Sequence, residues 1–329
     1  MKRREFITLL GGTAIAGIWP ANVRAQSSDK PIIGFLSARS ARESAHLVDA
    51  FRKGLAEYGL FEGQNATVDY SWADSHYERL PGQATDLVKR QLAVLVSVGG
   101  DMTAKAAVAA TRTTPIVAVF IGDPVAGGFV ASLSRPGANV TGVSNLNAVI
   151  EAKRLGLLRE IKPGITTVGA LINPDSLTAV SQQKDVEEAA RTIGLRVKFL
   201  KARNDQELEA AFKFIVQERL PALLVPADAF FAASRDRLTE LAARNAVPAI
   251  YSLREAAISG GLMSYGNDLS DTYRLIGTYA ARIVKGEKPA DLPVLQPTKF
   301  QFVLNLKTAK ALGLAIPSGV LAIADEVIE

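Results

Sequence analysis

The stretch PIVAVFIGDPVAGG, residues 115–128, decides how the chain is interpreted. Its apolar run predicts a buried strand, its glycines predict a turn, and the following VASLS (130–134) predicts a helix. This layout occurs in many phosphate-binding sites, so three roles are open for the turn. It holds a nucleotide, it carries a catalytic acid at Asp123, or it is a helix-opening loop whose free N–H groups meet a ligand carboxylate.

The same alternation of apolar strand and amphipathic helix runs along most of the chain. Near-continuous apolar strands separated by helices predict parallel sheets that are covered on both faces. The series runs once through NVTGVS (139–144), restarts at TTVGALIN (166–173), and ends with an edge strand predicted at KFQFVLN (299–305). Two series predict an α/β fold of two doubly wound parallel-sheet lobes with a ligand cleft between them. The predicted strands lie at 32–36, 67–73, 92–98, 115–121, 139–144, 166–173, 195–200, 222–227, 248–253, 261–266 and 299–305.

A helix predicted from Asp271 to Lys285 and the late strand indicate that the chain passes between the lobes more than once. We expect residues 1–25 to be a signal peptide. The N-terminal lobe is predicted to comprise 30–145 and 266–286, and the C-terminal lobe 146–265 and 287–329.

The first 25 residues have the composition of an export signal. MKRREF (1–6) is basic, ITLLGGTAIAGIW (7–19) is apolar, and Val23 and Ala25 place small residues before a cleavage point. Arg3 and Arg4 are compatible with the twin-arginine route as well as the Sec route. We therefore expect a mature protein that is free in the periplasm.

Charge and cysteine usage exclude several classes of protein. Residues 1–25 carry four basic side chains against one acidic, a net +3, which leaves +2 of the chain's +5 for the remainder. No basic cluster in the body indicates nucleic-acid binding. The chain has no cysteine, which removes disulfides, thiolate metal sites, cysteine nucleophiles and a lipoprotein anchor. After residue 25 no run of eighteen apolar residues predicts a membrane span.

The motifs of nucleotide, hydrolase and metal sites are incomplete. The turn at Gly122–Gly127 has P-loop glycine spacing, but Gly128 and Phe129 stand where Lys and Ser/Thr belong. The sequence 262–266 lacks the first glycine of a hydrolase elbow, and the two histidines, His46 and His76, form no ligand motif. We therefore expect no enzyme activity, no cofactor and no metal.

Polar and aromatic residues recur where the predicted strands end. Ligands of open α/β sheets bind beyond the carboxyl ends of the strands, so these residues are the predicted binding site. Asp228 is expected to pair with an ammonium group, helix N-termini to bind a carboxylate, and tyrosines or Phe230 and Phe231 to stack on a ligand side chain. The predicted site consists of Ser37, Arg39, Asp101, Asp123, Asn173, Asp228, Tyr251 and Tyr265.

Long motifs in the chain resemble the ABC-transporter substrate-binding proteins of the tryptophan/tyrosine type. They cover essentially the whole chain after the leader, and the leader itself, RREF ending in RAQ, is also similar. The matching stretches are IGDPVAGGFVASLSRPGANVTGVS (121–144), LLVPADAFF (223–231), GGLMSYGNDLSDTYR (260–274), KGEKPADLPVLQPTKFQFVLNLKTAKALGL (285–314) and ADEVIE (324–329).

The resemblance implies a type I periplasmic binding protein whose two lobes are joined by a three-strand hinge and close on a small ligand. The implied ligand is an aromatic or other amino acid or a related small acid, and the implied partner is an inner-membrane ABC permease, with the protein a monomer. Ligand contacts are implied at Ser37, Asp123, Asn173, Asp228 and Tyr265. At SVGGDMTAKAA (97–107) the chain departs from the family's Ser/Thr-rich loop, since Asp101 introduces a charge suited to an ammonium or polyol.

Two further functions share this scaffold, a ligand-sensing module for a membrane receptor and an exported α/β enzyme. For a transport protein we expect permease docking through one exposed carboxylate on each lobe, Glu43 on the first helix and Glu187 on its second-lobe counterpart.

Overall fold

A computed structural model describes residues 30–145 and 147–329 of the chain. The predicted signal peptide at 1–25 lies outside the described residues, so its export route stays a prediction. No helix within the described ranges is both long and apolar enough to cross a membrane.

The first sheet contains five parallel strands in the order β2-β1-β3-β4-β5. Apolar side chains alternate to both faces of these strands, so each face buries its own core. Helices α1 and α10 cover one face and α2 and α3 cover the other. The elements are β1 Ile32–Ser37, α1 Ala45–Ala56, β2 Thr67–Trp72, α2 Leu80–Val88, β3 Val94–Val98, α3 Asp101–Ala110, β4 Ile116–Phe120, β5 Val140–Ser144 and α10 Leu269–Val284.

Helices α1 and α10 pack with their backbones in contact. A Cβ on Gly54 would lie 2.0 Å from the carbonyl oxygen of Arg274, and one on Gly277 would lie 2.2 Å from that of Phe51. Glycine at both positions therefore permits the close crossing that ties a late segment of the chain to the first lobe.

The second sheet contains seven strands in the order β12-β11-β10-β9-β8-β6-β7. Its strands are parallel except for the antiparallel pair of β10 and β11. Helices α4, α5 and α12 cover one face, and α6, α8 and α9 cover the other. The elements are α4 Asn147–Ile161, β6 Thr167–Ile172, α5 Ala179–Thr192, β7 Arg196–Lys201, α6 Asp205–Gln217, β8 Leu223–Val225, α7 Ala229–Ala233, α8 Arg235–Arg244, β9 Ala249–Tyr251, α9 Arg254–Ile258, β10 Met263–Asn267, β11 Phe300–Asn305, α11 Leu306–Ala311, α12 Ser318–Ala322 and β12 Glu326–Ile328.

The prediction of two α/β lobes is confirmed by these two sheets. The chain passes between them three times, after β5, between β10 and α10, and between Leu295 and β11. Before the last passage, Leu295 donates from its N–H to the carbonyl of Gly142, and Thr141 donates from its hydroxyl to the carbonyl of Leu292 at 2.6 Å. We therefore propose that the first lobe extends to about residue 295, beyond the predicted limit of 286.

Two predictions about single elements are wrong. No helix follows β4 at 130–134, because Val130 is buried in the first lobe and Phe129 packs on Phe120 with ring centroids 5.3 Å apart, which draws the chain across the sheet edge instead. The strand β11 is not an edge strand, because β12 pairs with it in parallel.

Candidate functional site

The carboxyl ends of the two sheets face each other across a cavity of about 70 Å³. The first lobe lines it with the turn after β3, at Gly99 and Gly100, and the second lobe with the turn after β8, at Ala227 and Asp228. Arg39, Asn145 and Tyr273 also contribute polar side chains to the wall. This cavity lies at the strand ends, where the sequence analysis predicts the ligand site.

Arg39 is a buried guanidinium with an incomplete set of partners. It is 6% exposed, its backbone N–H donates to the hydroxyl of Ser37 at 3.1 Å, and its Nη2 lies 3.8 Å from Oε1 of Glu255 in the opposite lobe. Its Nε has no hydrogen-bond partner among the described residues. A buried donor without an acceptor is costly, so this nitrogen is suited to binding a ligand oxygen.

Asp228 is the corresponding acid of the second lobe. It caps α7, and its Oδ1 accepts hydrogen bonds from the N–H groups of Phe230 at 2.8 Å and Phe231 at 3.3 Å. Nδ2 of Asn173 donates to the same oxygen at 3.1 Å, so Asn173 positions the carboxylate. Burial raises the pKa of Asp228, and hydrogen bonds from these groups and from Ser176 oppose this rise.

Asp101 is also buried, but it is directed at the protein backbone. Its Oδ2 accepts from the N–H groups of Ile121 at 3.0 Å and Gly122 at 3.1 Å, which fixes the end of β4 against the start of α3. Burial raises the pKa of Asp101, and the two backbone hydrogen bonds oppose this. Asp101 does not line the 70 Å³ cavity, so its predicted ligand contact stays a prediction.

Asp123 is exposed and caps its own turn. Its Oδ1 accepts from the N–H groups of Val125 at 2.8 Å and Ala126 at 3.2 Å, and it does not line the cavity. The neighbouring Gly122 approaches the opposite lobe, where a Cβ on it would lie 2.8 Å from Cγ2 of Thr178. The turn therefore forms part of the rim where the two lobes meet.

Neither of the two predicted tyrosines lines the 70 Å³ cavity, although Tyr251 lines a smaller cavity that adjoins it at Arg39 and Leu253. Tyr251 is 2% exposed, burial raises its pKa, and its hydroxyl has no partner among the described residues. Tyr265 stacks on Phe300, with ring centroids 6.1 Å apart, and its carbonyl accepts from Nε of Arg154 at 2.7 Å. The cleft thus brings together Arg39 and Asp228, supported by Ser37 and Asn173.

Several residues of the cavity wall were not among the predicted site residues. Asn145 directly follows β5, and its Oδ1 is buried without a partner among the described residues. The strand-end rule would have found Asn145 if it had been applied to that strand as well. Tyr273, Leu253 and Leu269 lie in or beside helices, and their apolar spacing gives no signal that separates a cleft wall from a core.

Ion pairs join the two lobes around the cleft. Nη1 of Arg235 in α8 donates to Oε1 of Glu43 at 2.7 Å, and Nε2 of His46 lies 3.3 Å from Oε1 of Glu255. Burial acts to raise the pKa of Glu255, but the hydrogen bond from His46 and the charge of Arg39 outweigh it and lower the pKa to about 2.

The interlobe pair contradicts the predicted docking role of Glu43. Its side chain is 12% exposed, and it lies in the turn before α1 rather than on the helix. Glu187 is exposed on α5, so its docking role stays a prediction.

A family model described as ABC transporter substrate binding protein matches residues 32–328. The chain is 27% identical over 264 residues to a tyrosine-binding protein of Clostridioides difficile (strain R20291), covering 80% of this chain and 75% of that protein.

Two solved structures with 26% identity each cover 91% of this chain. The ABC domain from Streptococcus pneumonia in complex with L-Trp is covered completely and superposes with a TM-score of 0.84. The ligand-free, open structure of a substrate binding protein with adhesive properties from Clostridium difficile is 99% covered and gives 0.68. At equal identity and coverage, the chain as a whole superposes better on the L-Trp complex than on the open protein. The sequence resemblance is confirmed.

Proposed function

The chain belongs to the family of ABC transporter substrate binding proteins, and from this premise we propose that it captures an amino-acid-like ligand by closure of its two lobes. We further propose that it works as a periplasmic monomer and delivers the ligand to an inner-membrane ABC permease. The leader sequence supports the location, and the three passages of the chain between the lobes supply a hinge.

One observation carries the proposal of an amino-acid-like ligand. A buried guanidinium from one lobe, Arg39, and a buried carboxylate from the other lobe, Asp228, line the same small cavity. A zwitterion has one group for each of them, since its carboxylate pairs with Arg39 and its ammonium with Asp228. Because the two groups lie on different lobes, a ligand that engages both stabilises the closed arrangement over the open one.

The ammonium subsite is the better defined of the two. Backbone N–H groups and Asn173 donate to Oδ1 of Asp228, and among the described residues no Lys, Arg or His side chain forms an ion pair with this carboxylate. A buried carboxylate without a cation is costly, so a ligand ammonium supplies the missing partner. Oδ1 of Asn145 offers a second acceptor in the same wall.

The carboxylate subsite depends on Arg39. Glu255 lies at 3.8 Å from Nη2, beyond ordinary hydrogen-bond length, and Nε is unpaired among the described residues. A ligand carboxylate at Nε would complete the guanidinium without displacing Glu255.

The test is a thermal-shift screen of the purified protein against the L-amino acids. A ligand at about one hundred times its dissociation constant stabilises by about 2.7 kcal/mol, which raises the melting temperature measurably. We expect Asp228→Ala to abolish the shift and Asp86→Asn to keep it, because Asp86 is an exposed carboxylate on α2, paired only with Lys89. A full shift in Asp228→Ala would exclude Asp228 as the anchor.

Transport is tested separately by uptake of the ligand identified in that screen. Cells whose copy of the protein carries Glu187→Lys should lose uptake, while the purified variant keeps its dissociation constant. Unchanged uptake would remove Glu187 from the docking surface.

A further inference from the structure

Tyr273 lines the 70 Å³ cavity and lies on the helix that covers the first-lobe core. It follows Leu269, another cavity residue, by one turn of α10. Ile276 and Ala280 continue the same face of the helix into the core. Because long side chains in a helix lean toward its N-terminus, the ring of Tyr273 extends from this core toward the cleft end of α10.

The hydroxyl of Tyr273 makes no hydrogen bond with another described residue, although the residue is only 2% exposed. Two other tyrosines that pack in the same core have partners. Tyr70 donates to Oε2 of Glu62 at 3.0 Å, and Tyr279 donates to the carbonyl of Pro293 at 2.8 Å. A buried tyrosine hydroxyl usually has such a partner, and leaving it unpaired costs free energy. Tyr273 is therefore ready to donate to a group that enters the cleft.

Two charged groups of the cleft act on Tyr273. Burial raises the pKa of Tyr273 to about 12, the positive charge of Arg39 opposes this rise, and the negative charge of Glu255 adds to it. The hydroxyl is therefore protonated near neutral pH and can donate. Glu255 has His46 at 3.3 Å and Arg39 at 3.8 Å as its partners. Since Tyr273 and Arg39 line the same cavity, the hydroxyl and the guanidinium are two donors directed at one ligand.

A carboxylate is the ligand group that suits these two donors. It has two acceptor oxygens, so one oxygen can accept from Nε of Arg39 and the other from the hydroxyl of Tyr273. A carboxamide has only one acceptor oxygen, and its N–H groups would face a guanidinium, which cannot accept a hydrogen bond. The pair of donors therefore distinguishes a free acid from its amide.

We propose that Tyr273 is a specificity-determining residue of this cleft, whose hydroxyl donates together with Arg39 to the ligand carboxylate and selects free acids over their amides. The inference rests on the proposed function, which assigns the ligand carboxylate to Arg39. It adds a second donor to that subsite and the discrimination that follows from it.

The experiment compares the L-amino acid that raises the melting temperature most in the screen with the carboxamide of that same amino acid. Calorimetry measures the dissociation constant of the amino acid directly and that of the amide by competition, for the wild type and for Tyr273→Phe. We expect Tyr273→Phe to bind the amino acid at least about tenfold more weakly, because a hydrogen bond to a charged group is lost, and to bind the amide within about threefold of the wild type. The preference for the acid should therefore fall by at least about threefold.

The matched control is Tyr58→Phe, which removes the hydroxyl of an exposed tyrosine in the turn after α1 and should leave both dissociation constants within about twofold of the wild type. The fold of Tyr273→Phe is checked by its melting temperature without ligand. We expect this temperature to equal or exceed that of the wild type. The substitution keeps the ring, whose centroid lies 6.4 Å from that of Phe35, and removes a hydroxyl that has no partner among the described residues.

The outcomes separate this inference from the proposed function. If Tyr273→Phe keeps the wild-type preference for the acid over the amide, Tyr273 does not recognise the carboxylate, and the proposed function stands without it. A melting temperature clearly below that of the wild type in the absence of ligand also overturns the inference, because the hydroxyl would then have a partner within the protein. If no L-amino acid binds the wild type below about 1 mM, the proposed function itself fails.

Discussion

The ion pair between Glu43 and Arg235 should control how readily the cleft closes. It joins the two lobes at 2.7 Å, with side chains that are 12% and 18% exposed. Glu43→Gln removes the charge and keeps the shape. Arg235 retains the carbonyl of Ala232 at 3.2 Å and Asp236 at 3.7 Å, so the loss is smaller than for a fully buried pair. We expect Glu43→Gln to destabilise the closed state by about 1–2 kcal/mol.

That loss applies to the closed state, because lobes that have moved apart do not make the contact. Apparent affinity scales with the fraction of protein that is competent to bind, so about 1–2 kcal/mol weakens ligand binding by roughly 5- to 30-fold when the closed state is the minor one. The wild-type protein should also lose affinity as salt is raised, and Glu43→Gln should lose less.

Calorimetric titration at low and high salt measures both effects. The matched control is Glu218→Gln, which breaks the exposed pair with Lys198 inside one lobe and should change affinity by less than about twofold. A double-mutant cycle that combines Glu43→Gln with Arg235→Gln measures how much the ion pair itself contributes to the binding free energy. If Glu43→Gln binds within about twofold of the wild type, or if the two substitutions are additive, the pair does not contribute to closure.

Three further substitutions test the site and its support. Burial raises the pKa of Asp228, so the stability this group contributes is present below its unfolded pKa and lost as pH rises through its folded pKa. Asp228→Asn, which keeps a capping side chain, should raise the melting temperature at neutral pH and abolish ligand binding in the same thermal scans. Gly100→Ala should lower the free energy of unfolding, measured in urea, by about 1–3 kcal/mol, because φ of Gly100 is +106° and the new Cβ would lie 2.7 Å from Ile121. Its control is Gly82→Ala in α2, where the new Cβ has open space, and this variant should raise the free energy of unfolding by about 0.5–1 kcal/mol. Glu151→Gln should lower the free energy of unfolding by about 3–5 kcal/mol, because it leaves the guanidinium of Arg154, 2% exposed, without the negative charge that lies 2.6 Å away in the wild type. Adding Arg154→Met should restore much of that loss in the same unfolding curves.

The fold could be predicted from the sequence because its strands are buried on both faces. A strand covered by helices on each side is a continuous apolar run, and the glycine or polar turn after it ends that run clearly, as at 92–98 and 222–227. The last strand, Glu326–Ile328, was missed because its two apolar residues lie between acidic residues and form no apolar run. The false helix after β4 arose because Val130 and Leu133 have helical spacing but anchor an irregular segment.

The candidate site was only partly predictable, because the partners of its polar side chains depend on the folded structure. The sequence identified polar residues at strand ends but did not show where their hydrogen bonds go. Asp123 bonds to the N–H groups two and three residues later, while Asp101 bonds to a backbone segment 20 and 21 residues away. The side chain of Tyr265 lies on the face of its strand that packs against the α4 and α5 core, because side chains alternate between the two faces along a strand.

Arg39 shows how recognition and closure are coupled in this cleft. Its backbone N–H donates to the hydroxyl of Ser37 in its own lobe, and its guanidinium faces Glu255 of the other lobe, which His46 also contacts. Part of the interlobe attraction therefore exists before any ligand arrives, and by itself it does not distinguish a filled cleft from an empty one. Nε of Arg39 has no hydrogen-bond partner among the described residues, and Asp228 is a buried carboxylate whose pKa is raised by burial, so both groups oppose closure without ligand. A zwitterion removes both penalties at once, so the buried charges, more than the rim contacts, make closure depend on the ligand.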